Sequence, residues 1–235
     1  IPMLGQKLPV KAISINSKEW KILRETNIER HKKGLTLLTM PAALQKACDT
    51  RAAEETYNTK PAHTRPNGTS YQTAIPSSFK YQGCGENLFK CTQDVTAEIA
   101  MNGWMNSKAH KANILRNGFH YMGVGTYQKH AVQIFAKSKN KIKSWTTSSG
   151  KKTFSTVDAM MNEYLICTDT AGVKSYVPLD TAYMKKVKGG YTIKLNSSKT
   201  IKITVKSSTT TSSGTYSDVS SADKKAVAWV TKKKI

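Results

Sequence analysis

The sequence has no apolar run approaching the length of about 20 residues that crosses a bilayer as a helix. No stretch reads as the apolar core of a signal peptide either, and the chain opens on Ile1-Pro2-Met3. A mature form with any targeting segment removed is therefore expected. Most common catalytic signatures are also missing: there is no Gly-x-Ser-x-Gly elbow, no His-Glu-x-x-His helix, no phosphate-cradling glycine loop and no dinucleotide fingerprint. This weighs against most common enzyme classes and leaves metal-assisted hydrolysis open. The four cysteines match neither a zinc ribbon nor a Cys-x-x-Cys redox pair. Cys84 and Cys91 flank Gly85-Glu86-Asn87-Leu88, read as a turn, closely enough in sequence to bridge and pin it. Cys48 and Cys167 fall in helical and strand patterns, where free thiols behave as small buried hydrophobes.

Acidic residues are scarce as well. Asp and Glu number 15 against 37 Lys and Arg, a net charge of +22. Such an excess attracts polyanions: nucleic acid, anionic lipid headgroups or acidic wall polymers. The lysines are spread along the chain, with a run at Lys232-Lys233-Lys234, and they lack the arginine–aromatic interleaving of nucleic-acid modules. No nucleic-acid partner is expected. The plainer alternative is a lysine-rich surface that serves solubility. Hydrophobic content of 38% and charged content of 22% are those of a globular chain, long enough for one large or two modest domains.

Residues 1–15 read as an extended lead-in. Ser17 caps a helix with Trp20, Leu23, Asn27 and Ile28 on one stripe, stopped at Gly34. A second helix opens at Thr39, with Pro41 in its first turn, and runs through Leu44, Ala47, Cys48, Arg51 and Ala52 to about Thr56. Loop chemistry follows around Asn58, Pro61, Pro66, Asn67 and Gly68, with a short helical turn at Thr69–Ala74. Thr92 or Asp94 is expected to cap a third helix, and Ser107 a short fourth that carries His110 and Ile114 on one face. Strands are expected at Tyr121–Tyr127 and Ala131–Ala136. After Lys137 short β-rich runs take over, at Lys143–Thr147, Tyr164–Thr168, Lys174–Val177, Tyr191–Leu195 and Thr200–Val205. They predict a small all-β domain, a β-sandwich, over 138–206.

Three polar residues in separate segments stand out: His63 in the loop, Glu86 just after Gly83 and Gly85, and His110 on the short helix. Such a set can hold a divalent metal, with imidazole suiting zinc. It can equally do acid–base chemistry near neutral pH, or staple loops together by hydrogen bonds. His31, His120 and His130 are expected to be surface or hydrogen-bonded histidines without a site role.

The ordered motifs Asn27-Ile28-Glu29-Arg30, His63-Thr64-Arg65-Pro66-Asn67-Gly68, Gly85-Glu86-Asn87-Leu88, the Trp104–Leu115 block and Gly123-Val124-Gly125 resemble the CAP superfamily of cysteine-rich secretory, antigen 5 and pathogenesis-related proteins, in its bacterial branch. The resemblance covers about Ser17 to Ala136. It implies an α+β fold, an α-β-α sandwich over 16–137 with an antiparallel sheet between helical layers and a large open cleft. It also implies a cleft set of two histidines and two glutamates able to hold a divalent cation. His63, Glu86 and His110 match three of the four; the second glutamate position is Ser107 here. Glu98, nine residues earlier, is half a turn out of phase and cannot replace it.

Residues 207–217 form a Ser/Thr linker by composition, and 218–235 resemble the opening helix of an S-layer homology module. Together these readings lead to a secreted or cell-surface bacterial protein that binds through its cleft, with an anionic wall polymer, lipid or glycan as partner. The alternative is a metal-dependent, peptidase-like hydrolase with zinc on His63, His110 and Glu86.

Overall fold

A computed structural model describes residues 17–195 and 199–206. The lead-in, the Ser/Thr linker and the S-layer-like tail lie outside the described residues.

Helix α1 (Lys18–Lys32) starts where Ser17 accepts a hydrogen bond from the Trp20 amide, and its last turn collects Arg30, His31 and Lys32. Gly34 follows with φ +68°, a conformation glycine reaches without Cβ strain. A two-residue strand β1 (Met40–Pro41) leads into α2 (Ala42–Glu54), so Pro41 is the N-cap and not a first-turn residue. Two 3₁₀ turns, Glu55–Tyr57 and Tyr71–Ala74, bracket the loop that carries His63.

Strand β2 (Gly83–Lys90) is the first clear departure from expectation. Gly85-Glu86-Asn87-Leu88 is not a turn but the middle of this strand. Cys84 lies near its start and Cys91 just past its end, separated by about 3.3 Å of rise per residue. That is far beyond the reach of about 7 Å between Cα atoms for a disulfide. All four cysteines are free thiols. Helix α3 (Ala97–Asn106) is capped by Thr96, whose hydroxyl accepts from the Ile99 amide, in place of the expected Thr92 or Asp94. Ser107 does precede α4 (Lys108–Ile114), although its side chain makes no capping bond.

Strands β3 (Tyr121–Tyr127) and β4 (His130–Lys137) complete an antiparallel sheet of order β2-β4-β3. The alternation along β4 builds the layers. Ala131 and Phe135 join Trp20, Leu23, Trp104 and Ile114 on one face, beneath α1, α3 and α4. Val132, Ile134 and Ala136 join Leu44, Ala47 and Cys48 of α2 on the other. Three layers, helix on sheet on helix, are the result.

The described residues after Lys137 form, together with β1, two further sheets with one shared core. Strands β5 (Ile142–Thr147), β7 (Tyr164–Asp169) and β8 (Lys174–Pro178) make the order β1-β8-β7-β5. Strands β6 (Thr153–Phe154), β9 (Lys185–Val187), β10 (Gly190–Leu195) and β11 (Lys199–Val205) make the order β6-β11-β10-β9. Leu165, Cys167 and Val177 from the first pack with Ile193, Leu195, Ile201 and Ile203 from the second, under the short helix α5 (Val157–Met161).

Residues 37–41 stitch all three sheets together. Leu37 donates its amide to the Lys194 carbonyl of β10 at 3.1 Å, Thr39 bridges to Tyr121 of β3, and Met40 pairs with Tyr176 of β8. The Tyr121 hydroxyl donates to Asp169 at 2.6 Å, and the Trp20 and Tyr164 rings meet edge to face at 5.7 Å. His130, expected to be a surface or satisfied histidine, is instead 5% exposed with neither ring nitrogen hydrogen-bonded.

Candidate functional site

The site begins with how closely α2 can approach β3. A Cβ on Gly123 would lie 2.2 Å from the Leu44 carbonyl oxygen, and one on Gly125 would lie 2.3 Å from Cys48 backbone atoms. Only glycine permits this contact, and it drives the apolar stripe of α2 onto the sheet. At the end of the stripe sits Arg51, fully buried.

A buried guanidinium needs partners for its fork of donors. Arg51 Nε donates to Glu86 Oε1 at 2.8 Å, Nη1 to Glu54 at 3.1 Å, and Nη2 to Glu55 at 2.8 Å and to the Ala62 carbonyl at 2.6 Å. Glu55 accepts in turn from the Ala62 amide at 3.1 Å, and Arg65 donates to Glu54 at 2.7 Å. Burial opposes the charge on Arg51, but the Glu86, Glu54 and Glu55 carboxylates outweigh it and hold its pKa above the usual value. The loop after α2 is thereby tied down on both sides of His63.

Glu86 projects from β2 with its side chain wholly buried. Its second oxygen, Oε2, lies 2.7 Å from His63 Nδ1. An ionised carboxylate can only accept, so Nδ1 carries the proton and Nε2 is the acceptor nitrogen of the neutral ring. The His63 side chain is 61% exposed. The hydrogen bond to Glu86 raises the His63 pKa, against a smaller opposing effect of burial.

His110 arrives from α4, which is fixed to β2 by amide pairs. Asn87 Nδ2 donates to the His110 carbonyl at 3.1 Å, and Asn113 Nδ2 donates to Asn87 Oδ1 at 2.9 Å. Trp104 Nε1 donates to the Leu88 carbonyl at 3.1 Å, fastening α3 beside it. Burial and then the charge on His63 lower the His110 pKa. The two imidazoles therefore share one electrostatic environment. Tyr71 adds an aromatic wall, its ring 6.0 Å from that of His63 and its hydroxyl 3.3 Å from the Cys84 thiol.

His63 and Glu86 are joined directly, while His110 is linked to them only through the charge of His63, so the three do not form a set of equivalent ligands. Both oxygens of Glu86 are engaged, one by Arg51 and one by His63. Among the described residues no group of three or more His, Cys, Asp or Glu side chains is arranged to hold a metal ion. A catalytic zinc takes three protein ligands; the two imidazoles alone fall short of that. What sequence reading missed is the support: Arg51, Glu54, Glu55 and Arg65. One signal was present, an arginine on the apolar stripe of a helix with glutamates three and four residues later.

Residues 23–136 match the model of the cysteine-rich secretory protein family, CAP. The chain is 29% identical over 120 residues to YkwD, an uncharacterized protein of Bacillus subtilis, covering 51% of this chain and 46% of that one. It is 26% identical over 143 residues to the uncharacterized membrane protein YlbC of the same organism, covering 57% and 40%. The chain thus spans less than half the length of these curated relatives. A crystal structure of an extracellular SCP-domain protein from Bacillus anthracis aligns with a TM-score of 0.49 at 26% identity, over 57% of this chain and 45% of that one.

Proposed function

Because residues 23–136 are a domain of the cysteine-rich secretory protein family, we propose that the chain works outside the cell as a binding module, its ligand contacting the face around His63 and His110. The observation that carries this reading is the commitment of Glu86. A carboxylate that is fully buried, bonded to Arg51 and bonded to His63 is a fixed orienting group. It is poorly placed to activate water or to take a metal. What remains for a ligand is a hydrogen-bonding surface: the imidazole of His63 turned toward solvent, with His110 and Tyr71 beside it.

The charge of +22 supports a polyanionic surrounding such as a cell wall, and the family description itself names secretory proteins. No helix among the described residues is long and apolar enough to cross a membrane. The metal-dependent hydrolase reading leaves Glu86 behind His63 and offers only the two imidazoles as direct ligands among the described residues, so the binding reading is preferred.

The test is retention on isolated Bacillus subtilis cell walls. Binding that weakens from low to high salt is the expected result, since exposed charges are screened beyond about 10 Å at 0.1 M salt. No retention at low salt would contradict it.

A further inference from the structure

The sheet of order β6-β11-β10-β9 carries a second, unassigned surface. Between Thr181 and Lys206 the sequence places seven lysines and no aspartate, glutamate or arginine. Strand alternation sorts what lies there. Tyr191, Ile193, Ile201 and Ile203 turn inward to the shared core. The opposite face of β10 and β11 presents Thr192, Lys194, Thr200, Lys202 and Thr204, all exposed or half-buried.

Register makes this face a lattice. Thr192 sits opposite Lys202 on one side and Lys185 of β9 on the other, and Lys194 sits opposite Thr200. Neighbouring strands lie about 4.8 Å apart and alternate residues about 6.8 Å apart along a strand. Lys185 and Lys202 are therefore separated by about two strand spacings, with a threonine hydroxyl between them. At the β9–β10 turn, Lys186, Lys188 and Lys206 line a recess of about 320 Å³ together with Val187, Tyr191 and Val205, beside this face and not on it.

We propose that this acid-free Lys/Thr face of β9, β10 and β11 binds a polyanionic polymer bearing phosphate groups. Ammonium groups at regular intervals match a chain with repeated negative charge, and the hydroxyls of Thr200 and Thr204 can donate hydrogen bonds to phosphate oxygens, while that of Thr192 donates to the Lys185 carbonyl at 3.4 Å. A membrane surface fits less well. The large hydrophobic residues exposed among the described residues are Tyr57 and Tyr127, and neither lies in this sheet. A face made of lysine and threonine has nothing to insert among acyl chains. The proposal rests on the extracellular reading above only for where the polymer is met. It separates two jobs, anchoring by the C-terminal sheet and recognition by the His63 face.

The experiment uses the full chain and long-chain inorganic polyphosphate as the probe. One variant carries K185Q, K194Q and K202Q; a control of equal net charge carries K18Q, K21Q and K46Q on α1 and α2. The sheet variant is expected to bind polyphosphate at least tenfold more weakly. Its log–log salt slope should be shallower by about 2, given the ~0.7 per contacted phosphate known for flexible nucleic-acid strands. The control should change less than about twofold. Equal losses in both variants, or no binding by the unmodified chain, would overturn the proposal. So would a sheet variant that loses binding to phosphatidylglycerol vesicles while retaining polyphosphate, which would identify a lipid surface. Wall retention that persists in the sheet variant and falls with His63→Ala would leave the binding-module reading standing while this one fails.

Discussion

His63 Nδ1 and Glu86 Oε2 stand 2.7 Å apart, one ring mostly in water and one carboxylate wholly out of it. The pair works as a hinge pin between a loop and a strand. Arg51 holds the carboxylate from behind, and the carboxylate sets which way the imidazole faces.

Removing Glu86 should cost stability. Glu86→Ala leaves Arg51 with Glu54, Glu55 and the Ala62 carbonyl, so the loss should be about 2–3 kcal/mol, below the ~3–5 kcal/mol of an ion pair broken outright. Arg51→Met takes the shared cation from Glu86, Glu54 and Glu55 at once, leaving them to His63, Arg65 and the Ala62 amide, and should cost more than Glu86→Ala. Urea denaturation of both variants checks the order.

The two histidines should titrate in opposite directions. The raised His63 pKa contributes stability that is fully present below the unfolded value of about 6.5 and is lost as pH rises through the folded value. His110, with its pKa lowered by burial and by His63, disfavours protonation in the fold. Its effect is a loss of stability as pH falls from about 6.5 through the folded value. In NMR titrations, Glu86→Gln should lower the His63 pKa, and His63→Ala should raise that of His110. An unchanged His110 would mean that the rings do not sense each other.

Gly125→Ala should force α2 off β3. The added methyl would meet backbone, not the yielding end of a side chain, so a loss of about 3 kcal/mol or more is expected, at the upper end of overpacking penalties. Because Arg51 rides on α2, the His63 resonance should shift as well, although the substitution lies on a different element.

The family domain and the β-rich remainder should unfold together. Leu37 sits in the core of the C-terminal sheets, and β1 extends one of them. Calorimetry should show one transition, and Tyr121→Phe, which leaves Asp169 without its 2.6 Å partner, should lower it by about 1–3 kcal/mol. Two resolved transitions would contradict this coupling.

The layer order was legible through the resemblance to the CAP superfamily, and period supplied the elements that build it. The alternation in β4 and the 3.6-residue stripe of α2 each have one solution for which side faces the core. After Lys137, β5, β7, β8, β10 and β11 were legible from β-branched runs cut by Gly and Asn turns, while the short β6, β9 and α5 were not. Glu86 reads as part of a turn because the preceding Gly83 and Gly85 are ambiguous between a turn and a strand that must lie close to a neighbour. Here Gly85 is close to Asn113 and Phe119. The Cys84–Cys91 bridge failed with it, since an extended strand separates residues that a turn would bring together. The role of Arg51 was hidden because its partners come from three places: its own helix, the following loop and β2. Leu37, Thr39 and Met40 form too short a run for any periodic signal, yet they join three sheets.

The most direct test of the central claim, that Glu86 orients His63 for recognition and does not take a metal, is a zinc titration of the full chain followed by calorimetry and by the His63 and His110 resonances. The expected result is no stoichiometric binding at micromolar zinc, with the Glu86–His63 hydrogen bond intact throughout. Tight one-to-one binding that disappears in both His63→Ala and Glu86→Gln would contradict the account and return the site to metal chemistry.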